Sequence, residues 1–158
     1  MASCVIVEPD SPDPTVTEVS VYLSSTSSSF DKIELELVSI KFSQMQVTEW
    51  SILSEDVHML NLEDLSKEAL RISDEEVADN SIYNLKLDFG TENYMYSGTD
   101  KYLLQLDMLE ETDLIVNVNE ELIKGEKLEI QLEIDADGSV IEQQGTDVYF
   151  FKPILRRK

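Results

Sequence analysis

Along most of this chain apolar and polar residues alternate one for one, the period that sends successive side chains to opposite faces of a β-strand. From about Thr15 onward, Val19, Val21 and Leu23 take one face, and Ser24-Ser25-Thr26-Ser27-Ser28-Ser29 reads as a polar loop. Ile33, Leu35 and Leu37 then alternate with Glu34 and Glu36. After Leu37 the apolar set becomes Val38, Ile40 and Phe42, so either a β-bulge near Val38-Ser39 or burial on both faces is expected. Trp50, Ile52 and Leu53 begin a third short strand, and Val57, Met59 and Leu60 a fourth. One helical candidate follows, with Asn61 as N-cap, Asp64 three residues on, and Leu62, Leu65, Ala69 and Leu70 at helical spacing. Asp74-Glu75-Glu76 before Val77 adds a helical turn that Asp79-Asn80-Ser81 closes.

Period two returns in Tyr83, Leu85, Leu87 and Phe89 up to Gly90, in Tyr102, Leu104 and Leu106 after a Ser97-Gly98 turn, and in Leu114, Val116 and Val118. It is clearest where Leu128, Ile130, Leu132 and Ile134 alternate with Glu129, Gln131, Glu133 and Asp135. A turn region with Gly138 and Gly145 leads from there to Tyr149-Phe150-Phe151, and Gly90, Gly98 and Gly125 mark the other turns. About eight or nine short strands, each with one apolar face, predict an all-β fold. The expected architecture is an antiparallel β-sandwich, transthyretin- or immunoglobulin-like with Greek-key connections, carrying one short helix. The recurring helices of an α/β fold are missing. The predicted core draws on Val21, Leu35, Leu37, Trp50, Leu85, Leu87, Leu104, Val116, Ile130, Leu132 and Phe151. Three prolines crowd into Glu8-Pro9-Asp10-Ser11-Pro12-Asp13-Pro14, which predicts a flexible N-terminal tether over 1–14 and a β-sandwich domain over 15–158.

Charge narrows the partners. The 158 residues hold 33 acidic side chains against 12 Lys and Arg, a net charge of −21. Such a surface repels phosphates, and the basic cluster of Lys152, Arg156, Arg157 and Lys158 is too small to track a nucleic acid backbone, so no nucleic acid partner is expected. No run of about 18 apolar residues exists, and no charged segment precedes an apolar one at the N-terminus. The chain is therefore expected neither to span a membrane nor to be an intact secretory precursor.

Candidate chemistry is sparse. His58 is the sole histidine and lies in a short apolar strand, where a packed or solvent-facing role outweighs a catalytic one. Cys4 sits on the tether, away from any group that would depress its pKa. One histidine and one cysteine disfavour zinc, and phosphate-loop and dinucleotide fingerprints have no match. A calcium loop has partial support, because Glu133-Ile134-Asp135-Ala136-Asp137-Gly138 alternates acids before a glycine and makes Asp135 and Asp137 candidate ligands. Gln144 stands where the bidentate glutamate belongs, and Glu133 where aspartate is usual. No other cofactor is expected. Tyr94, Tyr96, Tyr149 and the Trp50 region admit a carbohydrate platform, against the commoner reading of aromatics as core or cross-strand pairs.

The order of segments resembles a known family, the envelope-associated domain of unknown function 4382. The residues that carry the likeness are Val19-Ser20-Val21-Tyr22-Leu23, Phe30 through Leu37 with Ile40, Trp50-Ser51-Ile52-Leu53, and Met59-Leu60-Asn61-Leu62. It continues in Ile82-Tyr83-Asn84-Leu85-Lys86-Leu87, in Leu128 through Asp135 with Ser139-Val140, and in Phe151-Lys152-Pro153-Ile154-Leu155-Arg156. Asn80-Ser81 departs from it, where the pattern favours Gly before the Tyr strand. The resemblance implies a secreted or outer-surface β-sandwich, often lipid-anchored, with no established activity and no functional residues to transfer. On that footing Ala2-Ser3-Cys4 fits the end of a lipoprotein processing site, with Cys4 as the lipid attachment residue; the same three residues are equally compatible with an ordinary chain start. The expectation is a non-enzymatic cell-envelope module, periplasmic or on the outer-membrane surface. It acts in binding, adhesion or surface-structure assembly, with a protein or glycan partner and a membrane link only through the anchor. A carbohydrate- or calcium-binding module is the alternative.

Overall fold

A computed structural model describes residues 15–45 and 48–158; the tether over 1–14, with Cys4, lies outside them. The chain begins with β1 (Thr17–Ser25), β2 (Lys32–Ser43), β3 (Ser51–Ser54) and β4 (His58–Asn61), then the helix α1 (Leu62–Lys67) and β5 (Leu70–Val77). β6 (Ser81–Phe89), β7 (Tyr94–Ser97), β8 (Asp100–Gln105) and a 3-10 turn at Glu111–Leu114 follow. β9 (Ile115–Glu121), β10 (Lys127–Ile134), β11 (Val140–Glu142), β12 (Tyr149–Phe151) and β13 (Leu155–Arg157) complete it. The strands form two mixed sheets and no barrel. One has four strands in the order β13-β10-β1-β5; the other has nine, β11-β12-β8-β7-β2-β6-β9, with β3 and β4 both paired to β2.

The alternation read from the chain becomes a single apolar cluster shared by both sheets. From the smaller sheet come Val19, Val21, Leu23, Ile130, Leu132 and Ile134, and from the larger Ile33, Leu35, Leu37, Leu85, Leu87, Met95 and Phe151, all but sealed from solvent. Each such side chain contributes roughly 1.5–3 kcal/mol relative to exposure, against about 0–1 kcal/mol for a surface ion pair, so the shared core dominates stability.

Five sequence expectations change. The sheets are not purely antiparallel: β1 pairs with β10 in parallel, Val21 opposite Ile130 and Leu23 opposite Leu132, and β12 pairs with β8 in parallel. Alternation records which face is buried and is blind to strand direction. The acidic run Asp74-Glu75-Glu76 lies in the edge strand β5 and not in a helical turn, because antiparallel pairing with β1 buries Ile72 and Val77 and leaves Asp74 and Glu76 outward. That same pairing ends α1 at Lys67, since Leu70 stands opposite Leu23; Asn61 is still the N-cap, its side chain accepting from the Glu63 amide. Trp50 is half-buried and precedes β3, with Lys86 Nζ 5.6 Å from its ring centroid. Tyr83 is 41% exposed, because a register shift between Ile82 and Asn84 turns it outward.

The bulge expected near Val38-Ser39 is present. Leu37 pairs with Phe89 and Ser39 with Asp88, so Val38 is the extra residue. The bend lets one strand serve two partners on each edge: β4 and β3 on one, β7 and β6 on the other. Asn93, fully buried, stitches the junction. Its Oδ1 accepts from the Glu36 amide at 3.0 Å, its Nδ2 donates to the Gly90 carbonyl at 2.7 Å, and its carbonyl accepts from Leu104 N–H at 2.8 Å. Replacing it leaves two part-buried backbone groups without that partner, each costing up to about 1–3 kcal/mol. Asn93→Leu is expected to lower unfolding free energy by about 2–4 kcal/mol in urea titration.

Candidate functional site

The outward face of the large sheet brings two tyrosines and two lysines together around the β7–β8 hairpin. The hairpin turns at Gly98-Thr99, with Ser97 opposite Asp100, and Gly98 adopts φ +61, a conformation glycine takes without a Cβ penalty. Asp31 Oδ2 accepts from the Gly98 amide at 2.5 Å. That turn sets the register: Tyr96 lies between Lys32 and Lys101, and Tyr94 between Glu34 and Leu103. Directly opposed residues share a face, so these six side chains stand together on the solvent side while Ile33 and Met95 point into the core. Gln105 opposite Phe150, and Phe150 opposite Ile141, extend the face across β12 and β11.

Lys101 Nζ lies 4.0 Å from the Tyr94 ring centroid and 5.8 Å from that of Tyr96. Lys32 Nζ stands 5.2 Å from the Tyr96 centroid and 2.5 Å from Glu34 Oε1, and that carboxylate holds the Lys32 ammonium above its usual pKa. Tyr94 donates its hydroxyl to Glu92, which raises the phenol; Tyr96 donates to Glu34 at 3.4 Å. The arrangement offers two flat rings, a cation and a 49% exposed leucine, suited to stacking and polar recognition.

The other aromatic candidates are elsewhere. Tyr149 packs against Tyr102 at 5.0 Å and Phe30 at 6.4 Å, and burial raises its phenol. Trp50 lies by Lys86, which also meets Glu111 at 3.0 Å. Lys101, Leu103 and Phe150 had no signal of their own in the sequence; a two-residue turn at Gly98-Thr99, once assumed, would have aligned Lys101 with Tyr96.

Asp135 and Asp137 face their own chain. Asp137 Oδ1 accepts from the Ser29 amide at 2.9 Å and from the Ser28 and Ser29 hydroxyls at 3.2 and 3.1 Å. Asp135 Oδ1 accepts from the Gly138 amide at 3.0 Å, and Glu133 pairs with Arg156 and Lys158. Among the described residues no group of three or more His, Cys, Asp or Glu side chains is placed to hold a metal ion. His58 Nε2 sits 3.0 Å from the Ile72 carbonyl. A carbonyl only accepts, so Nε2 carries the proton and the ring joins β4 to β5 across the two sheets. Among the described residues no helix is long and apolar enough to cross a membrane. No protein-family model matches the chain, and no curated protein or solved structure shows significant similarity to it.

Nearly all the cations are held. Lys41 meets Asp88, Lys127 meets Glu18, Arg157 meets Glu120, and Lys124 holds the Asp79 carbonyl at 2.7 Å. Asp113 Oδ2 accepts from Lys152 Nζ at 2.8 Å and from the Glu110 amide at 2.9 Å. Those bonds, Lys152 first, lower the Asp113 pKa, and Asp113 raises that of Lys152. A lowered carboxyl stabilises above its unfolded pKa and loses that contribution as pH falls through the folded value; the raised lysine loses its own as pH rises through its folded value. The melting-temperature gap between parent and Asp113→Asn is therefore expected to be widest near neutral pH. It should close below the ordinary carboxylate range and narrow in strong alkali.

Proposed function

We propose that this chain is a non-enzymatic binding module of a cell envelope, acting in adhesion or surface-structure assembly. On this reading the two sheets make a transthyretin- or immunoglobulin-like sandwich, akin to the domain of unknown function 4382, held by the 1–14 tether with a lipid on Cys4. The partner is a surface protein or glycan and not a nucleic acid, which the net charge of −21 repels. The observation that carries the reading is the outward Tyr94–Tyr96 pair beneath Lys101, a cation in no ion pair among the described residues. The engagement of His58 with Ile72, and of Asp113 with Lys152, supports a structural use of the groups that catalysis would need. A glycan partner is favoured by two ring faces two residues apart on one strand, roughly 7 Å at the usual rise, which suits stacking on successive sugars.

Beads coated with the protein are expected to adhere to cells of its own source. The Tyr94→Ala/Tyr96→Ala variant should lose adhesion at least tenfold while melting within about 2 °C of the parent, as surface substitutions do. Competition by soluble oligosaccharides would assign the ligand as glycan; competition by protein alone would assign it as protein; unchanged adhesion by the double variant would refute this face. Expression from its own gene in the source cell should incorporate labelled fatty acid, and Cys4→Ser should abolish it.

A further inference from the structure

The side of the molecule where β5 meets β3 and β4 carries a second, differently built surface. β5 ends the four-stranded sheet, with β1 as its only strand partner among the described residues. Alongside it run two grooves. One, of about 400 Å³, is lined by Met59, Leu65, Ala69 and Leu70 with Asp64 and Glu68. The other, of about 270 Å³, lies between Ile52 and Leu53 on one bank and Glu75, Glu76 and Asp79 on the other. His58 of β4, bonded to the Ile72 carbonyl, ties β4 to β5 on this side. Four large apolar residues are exposed on this side, Ile52 at 57%, Val57 at 61%, Met59 at 56% and Leu70 at 40%. β2 separates them from the tyrosine face, since Glu34 has Asn61 of β4 on one side and Tyr94 of β7 on the other.

Charge decides the occupant. The carboxylates of Glu68, Glu75 and Glu76 make no hydrogen bond or ion pair among the described residues, while the cations on this side are already paired, Lys67 with Glu63 and Arg71 with Asp74 at 3.5 Å each, and Lys41, opposite Ile52, with Asp88 at 3.2 Å. An apolar floor bordered by unbalanced carboxylates favours apolar side chains interspersed with cations. A second copy would bring another −21 to the same place, and an anionic lipid or nucleic acid would meet like charge. Acids on an edge strand also discourage neutral strands from adding to it, so the repulsion that protects β5 selects for basic partners.

We propose that this seam docks an extended, cationic-apolar segment of a partner protein. Its aliphatic side chains lie over Met59, Leu65 and Leu70, its lysines or arginines face Glu68, Glu75 and Glu76, and its backbone runs beside the free edge of β5. The seam is independent of the tyrosine face, so either can fail without the other.

The test uses the full chain and a fluorescein-labelled nonapeptide of alternating Lys and Val, with a Glu-Val peptide as control. Anisotropy should show saturable binding of the Lys-Val peptide alone, weakened at least fivefold between 0.05 and 0.5 M NaCl, as expected for exposed charges roughly a Debye length or less apart. Amide shifts in the NMR spectrum should move along Leu70–Val77. Glu68→Gln/Glu75→Gln/Glu76→Gln should weaken binding at least tenfold, and Met59→Ser/Leu70→Ser should do the same at unchanged charge. Glu121→Gln/Glu142→Gln/Asp147→Asn, in β9, in β11 and in the turn before β12, none of which pairs with β3, β4 or β5, should leave it unaltered. Equal loss in both triple variants would reduce the effect to diffuse adsorption on an acidic surface and overturn the proposal. So would no binding of the Lys-Val peptide, or a dimer of the protein alone that Met59→Ser/Leu70→Ser dissolves.

Discussion

The bulge at Val38 is the constraint on which the architecture rests. β2 runs twelve residues and is the only strand that pairs with four others among the described residues. A regular strand of that length would keep one parity throughout and leave Ile40 and Phe42 on the solvent side. One inserted residue restores them to the core and bends the strand, so that β6 and β7 can succeed each other along one edge. Asn93 then satisfies backbone groups at the place where the ladder changes hands. Without that junction the β7–β8 hairpin would have no fixed position against β2, and Tyr94, Tyr96, Lys32 and Lys101 would not meet.

Net charge acts on this frame from outside. With 33 acids and 12 bases, any compact form carries self-repulsion that the shared apolar core must outweigh. The cations are distributed to limit it. Arg156 and Lys158 both approach Glu133, and Lys86 reaches Glu111 and Asp88, so basic residues pin strand ends and turns to neighbouring carboxylates. Lys124 instead holds the Ala78 and Asp79 carbonyls, and Lys101 lies over aromatic rings. Among the carboxylates left over, Glu68, Glu75 and Glu76 lie on and beside β5, where charge on an unpaired edge discourages copies of the chain from adding to it.

Several features were legible before any fold was known. The clean alternation of Leu128 through Asp135, the slip of parity after Leu37 and the Asn61 cap all became what they predict, because each depends on burial or capping within a few residues of itself. Trp50 and Asp74-Glu75-Glu76 misled for a common reason. Their local character, a large apolar ring and a helix-favouring acidic run, was overruled by residues far along the chain, Lys86 beside the ring and β1 paired with the acidic run. The candidate site divides in the same way. Tyr94 and Tyr96 could be picked out as a pair at strand spacing, but their separation from Tyr149, and the arrival of Lys101 and Lys32 beside them, follow only from the hairpin register.

The amino-acid sequence by itself determined most of the buried set and the position of most turns, since burial of alternate residues and the φ freedom of glycine turns are written locally. Only the tertiary structure decided which strands are neighbours and in which direction they run. Val19, Val21 and Leu23 alternate identically whether β10 lies parallel or antiparallel to them, and the choice is made by the packing of two sheets around one core. The two candidate surfaces belong to that second class: each is assembled across strands whose adjacency no local pattern encodes.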